Sequence, residues 1–140
     1  MNIDWKLSQD DGVDANNPLG AITISDDDGG VILQEAIYLD SWFEELLAGL
    51  RMLVSGEPET LVLVEEPDPL ELRLEDDTLV VTQDVYVVRV SLVEAIEEIR
   101  AEALEFLRAM QQSAGWEQNE KLVAVQRLLA GARRGLELEN

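Results

Sequence analysis

Carboxylates carry most of the chemistry available to this chain. Asp26-Asp27-Asp28 puts three acids side by side ahead of Gly29-Gly30, and hard cations such as Ca²⁺ and Mg²⁺ are bound by oxygens of that kind. A calcium loop, however, spaces its ligands at alternate positions and closes on a bidentate Glu. This run does neither, so its ordinary reading is a solvated hairpin turn. Glu65-Glu66-Pro67-Asp68 sets three more carboxylates in a bend stiffened by proline. Paired acids do general acid and base work when burial and neighbours drive their pKa values apart, whereas Glu and Asp flanking Pro between strands ordinarily make an exposed corner.

The rest of the usual catalytic equipment is missing. With no Cys and no His among 140 residues, there is no thiol nucleophile, disulfide or thiolate metal site, and no imidazole to serve as a base near neutral pH. Ser8, Ser25, Ser41, Ser55, Ser91 and Ser113 are therefore left without their usual activator. Gly29-Gly30 is followed by a β-prone run and not by a helix, so it is no phosphate cradle. The expectation is a protein that is not an enzyme and takes no cofactor or metal. The alternative is a carboxylate- or divalent-metal-dependent enzyme built on Asp26, Asp27 and Asp28 or on Glu65, Glu66 and Asp68.

Thirty Asp and Glu against ten Lys and Arg give a formal net charge of −20. Such a surface repels phosphate backbones and anionic headgroups, which argues against direct nucleic-acid binding and membrane attachment. Only residues 119–140 depart from this, with Lys121, Arg127, Arg133 and Arg134 against Glu120, Glu137 and Glu139, a composition suited to docking on the remainder. An acidic, lysine-poor chain also fits adaptation to high salt, and in that case the domain is a self-associating structural unit, a homodimer for instance, whose acidity reports its environment. Residues 1–6 lack a basic stretch leading into an apolar run, and no window approaches the ~20 apolar residues of a membrane span. A cytoplasmic protein is expected.

The carboxylates are best organised between 91 and 112. At ~100° per residue, Leu92, Ile96, Ile99, Ala103, Phe106, Leu107 and Met110 share one arc of a helix, while Glu94, Glu98, Glu102 and Glu105 cluster opposite, with Glu97 close by. Aligned like charges weaken a helix slightly and add nothing to a core. Arg100 and Arg108, each three residues after a Glu, offset part of the repulsion. A solvated face is the plain reading. The sharper one is a docking surface for a basic protein, where complementary charge speeds encounter and rejects wrong partners. Trp5, Trp42 and Trp116 are candidate anchors, although Trp42 suits the core and Trp116, in the break between the last two helices, suits a staple between them.

The elements that position these groups follow from periodicity. Residues 3–7 form a possible strand, 8–20 a polar loop, and 21–25 with 31–39 a hairpin about the Asp-Gly-rich turn. Ser41 with Glu44, at capping-box spacing, opens a helix carrying Phe43, Leu46, Leu47, Leu50, Leu53 and Val54 inward and stopped by Ser55-Gly56. The period then falls to two over 61–64, 70–75, 79–82 and 85–90, a four-strand meander with Asp76-Asp77 and Gln83-Asp84 as hairpin connections. Ser91 with Glu94 repeats the capping spacing before the long helix. A last helix over 119–133 carries Leu122, Val125, Leu129 and Ala132 inward, and 135–140 is expected to fray. Strands grouped apart from helices predict a single α+β domain over 1–140, a mostly antiparallel sheet (N-terminal hairpin plus four-strand meander) against about three helices.

In size, acidity and lack of catalytic side chains the chain is similar in general character to bacterial immunity proteins and antitoxins that neutralise basic toxins. That likeness is one of class and covers no particular residue. It implies a non-catalytic domain engaging a basic partner through a carboxylate-rich surface, and a DNA-mimicking inhibitor is a variant of the same idea.

Overall fold

A computed structural model of the chain describes residues 1–8, 15–56, 60–63 and 69–135. Alternating apolar and polar residues make β1 (Asn2–Leu7), β2 (Leu19–Ser25) and β3 (Val31–Tyr38) one antiparallel sheet in the order β1-β2-β3. Ile3 faces Ile24 and Trp5 faces Ile22, with Ile3, Ile22, Ile24 and Ile32 buried. The N-terminal segment thus joins the expected hairpin as a third strand, and β2 begins within what reads as loop, because Ser8 and Leu19 are already hydrogen-bonded across the pair. On β3 the register shifts by one residue opposite Ala21. Glu35 and Ala36 form a bulge there, with Ala36 at φ 56°, and the extra residue lets Gln34 and Ile37 both turn inward.

β3 runs directly into α1 (Leu39–Val54), whose N-cap is Tyr38 with no side-chain cap. The helix therefore starts two residues before the Ser41 cap that the sequence predicts. Its first donors have other partners: Leu39 N–H donates to the Pro18 carbonyl (2.9 Å) and Ser41 N–H to Asp40 Oδ1 (2.8 Å). Phe43, Leu46, Leu47, Leu50 and Leu53 are buried, and Gly56, at φ 100°, closes the helix in the left-handed conformation.

β4 (Thr60–Leu63), β5 (Leu70–Glu75), β6 (Thr78–Gln83) and β7 (Tyr86–Ser91) make an antiparallel meander in chain order. Gln83 pairs with Tyr86, so the last turn is Asp84-Val85 and not Gln83-Asp84. Asp76 and Asp84 take positive φ at the two tight turns, a conformation that Asp tolerates.

α2 (Leu92–Met110) begins as read: Ser91 Oγ accepts from Glu94 N–H at 3.2 Å. A 3-10 turn, Trp116–Gln118, leads to α3 (Glu120–Gly135), capped by Asn119, whose Oδ1 accepts from the Lys121 and Leu122 amides. Both sheets and all three helices share one hydrophobic core, with Trp116 half-buried against it. Aromatic rings tie its layers together: Trp5 of β1 stands edge-on to Phe106 of α2 at 5.5 Å, and Phe106 stacks on Phe43 of α1 at 5.0 Å. Trp42 is buried beside Phe43, its indole N–H donating to the buried Gln34 Oε1 at 2.6 Å. The fold is α+β with antiparallel sheets. No helix among the described residues is long and apolar enough to cross a membrane.

Candidate functional site

The helical period of α2 places Glu94, Glu98, Glu102 and Glu105 along one flank, and β1 lies against that flank. Their environments differ. Glu94 and Glu105 are exposed, whereas Glu98 and Glu102 are half-buried. β1 is an edge strand, and its Ile3 N–H points away from β2 with no ladder partner. Glu98 Oε2 supplies one at 2.8 Å, so this carboxylate covers an open sheet edge. Glu102 accepts from the Trp5 side chain, but burial and then the charges of Glu105, Glu98 and Asp4 push its carboxyl above the ordinary range.

The four residues singled out from the sequence are thus brought together, and two of them are also structural. Asp4, which no motif in the sequence marks, completes the cluster. Its signal was the outward alternation of Asn2, Asp4 and Lys6 along a strand, visible only once that strand is known to pack on α2. Chemically the arrangement is a concentrated negative field, centred on a carboxyl held above its ordinary range.

Of the other candidate acids, Asp26 is occupied. Asp26 Oδ1 accepts from the Asp28 and Gly30 amides at 2.9 and 2.8 Å, and its Oδ2 accepts from Arg89 N–H of β7 at 3.0 Å. The Arg89 amide does most to hold this carboxyl below the usual range, with the Gly30 and Asp28 amides adding to it against some desolvation. Asp26 is therefore a staple between the turn and β7. Among the described residues no group of three or more acids is placed to hold a metal ion. Glu65, Glu66 and Asp68 lie outside the described residues.

One contact was not legible in the sequence. Lys121 Nζ lies 2.7 Å from Ser41 Oγ, the pairing of a serine with an amine base. Lys121 is exposed to water. The contact instead belongs to a polar tie between α1 and α3, in which Asn119 Nδ2 donates to the Ala15 carbonyl at 2.6 Å and to the buried Asp40 at 2.9 Å. A groove of about 790 Å³ lies between α2 and α3, bordered by Glu97, Leu104, Arg108 and Leu129. It is separate from the carboxylate flank.

Comparison of this chain with protein-family models, with curated proteins and with solved structures returns no match.

Proposed function

We propose that this chain is a non-catalytic, cytoplasmic binding domain that takes a basic protein partner on the flank formed by Asp4, Glu94, Glu98, Glu102 and Glu105, in the manner of an immunity protein, antitoxin or inhibitor. The observation that carries the reading is the gathering of these carboxylates on one flank of α2 beside β1, where burial and then the neighbouring charges raise the Glu102 carboxyl. The like-charge part of that cost is what a cationic surface arriving there would offset, and it would do so selectively. A formal net charge of −20 extends the attraction outward and speeds encounter. Because Glu98 and Glu102 also hold β1, the exposed pair is the one to change first.

The test is capture of basic proteins from a lysate at low ionic strength, followed by association rates measured for the captured partner. Glu94→Lys/Glu105→Lys is expected to slow association by about tenfold or more at low salt, and added salt is expected to weaken wild-type binding steeply. Binding that ignores both salt and the double reversal removes the proposal.

A further inference from the structure

The α2–α3 groove carries a pattern that the carboxylate flank does not use. Glu97, Ala101, Leu104 and Arg108 follow one another on α2 at intervals of four, three and four residues, and this spacing lays them on one stripe of the helix. All four border the groove. Leu104 stands 38% exposed, an uncovered apolar knob, and Ala101, one turn away, is an exposed flat spot. The ends of the stripe are oppositely charged. Turning a second copy end over end about a two-fold axis midway along it brings Glu97 against the partner's Arg108, and Arg108 against the partner's Glu97, while each Leu104 lies over the partner's Ala101. Such an isologous contact is the commonest way for a chain to pair with itself.

We propose that two copies of this chain associate through antiparallel α2 helices, each seating Leu104 in the other's α2–α3 groove and closing two Glu97–Arg108 ion pairs. Charge selects a second copy as the occupant. The stripe is complementary to itself under this rotation, and the groove borders set Arg100 and Arg108 beside Glu97, which offsets there the repulsion between two chains of net charge −20. The inference goes beyond the binding function proposed above and leaves the carboxylate flank open to a basic partner.

Sedimentation equilibrium on the full chain at micromolar concentration tests it, read at low and at physiological salt. A mass of twice 15.6 kDa is expected, favoured by moderate salt because screening weakens the long-range repulsion between the two chains. Leu104→Asp is expected to raise the dissociation constant about tenfold or more, the scale of a lost apolar contact with a charge placed in its stead. Glu97→Arg and Arg108→Glu each weaken the dimer, and the swap Glu97→Arg/Arg108→Glu restores it, which no defect in folding would do. Glu94→Lys/Glu105→Lys keeps the dimeric mass, so either proposal can fail alone. A wild-type chain that stays monomeric at every concentration and salt overturns the inference, as does a dimer indifferent to Leu104→Asp or single reversals that the swap does not cure.

Discussion

Asp26 and Glu102 are two carboxylates in opposite surroundings. Asp26 is aimed at backbone N–H groups, those of Asp28, Gly30 and Arg89, and its carboxyl is held low chiefly by Arg89. Glu102 lies among other carboxylates at a half-buried junction, and its carboxyl is held high by burial and by Glu105, Glu98 and Asp4 against a single opposing hydrogen bond from Trp5. The first satisfies donors that the chain would otherwise leave orphaned, so its charge is absorbed by the fold. The second leaves its charge unabsorbed. An acid pointed at the backbone stabilises the molecule, and acids set among one another keep a potential that only something from outside can neutralise.

The comparison is broken most severely at the Asp26 end by adding a single carbon. The β3 and β7 strands, one from each sheet, come together at Gly30, where a Cβ would fall on the Val87 carbonyl oxygen and crowd the Asp26 carboxylate. Gly30→Ala is expected to cost about 2–3 kcal/mol, because backbone has to move, measured as a lower midpoint in urea unfolding. A loss under ~0.5 kcal/mol would mean the seam yields freely and the staple is unimportant. Asp26→Ala leaves the backbone in place and removes only the acceptor, for an expected loss of about 1–2 kcal/mol at neutral pH. The folded pKa of Asp26 is depressed, so its contribution is whole above the unfolded value of about 3.9 and is lost as pH falls through the folded one. The gap between wild type and Asp26→Ala should accordingly persist from neutral pH down to about pH 4 and close below it. A gap that is constant with pH would show that the charge plays no part.

Much of this was legible from residue order, and the exceptions share a cause. The inward faces of α2 and β5 follow from periods of 3.6 and two, which are local properties of the chain, and both lie where the pattern puts them. Ser91 caps α2 because β7 ends on it, but the same Ser-x-x-Glu spacing at Ser41 caps nothing: β3 feeds α1 without a break, and Pro18 and Asp40 have taken the first amides. Equal motifs diverge when a neighbour distant in sequence supplies the partner. The aspartate turn behaves likewise. Its hairpin geometry is written in Gly29-Gly30, while its bond to Arg89, 63 residues on, is a property of the assembled sheets. At the candidate site the four glutamates were visible as a stripe, whereas their division into covering and exposed groups depended on β1, a strand whose position along α2 no local period encodes.

The smallest expected effect is the most discriminating. Glu102→Gln removes one charge from the cluster and keeps an oxygen that can accept the Trp5 N–H, so packing and hydrogen bonding stay as they are. Since the folded pKa of Glu102 is raised, ionising it costs the folded state more than the unfolded one, and wild-type stability falls as pH rises from about 4.3 through the folded value. The variant escapes that fall. It should be more stable than wild type by a few tenths of a kcal/mol at neutral pH, the cost of part-burying the charge and then of like-charge repulsion, both largely relieved by solvent, with the gain opening above about pH 4.3. This is opposite in sign to Asp26→Ala, whose effect is a loss. Added salt should shrink the gain by screening what remains. If Glu102→Gln were instead destabilising at neutral pH, the Glu102 charge would be part of what holds β1 to α2. The cluster would then be a staple of the Asp26 kind, with no potential left over to recruit a cationic surface.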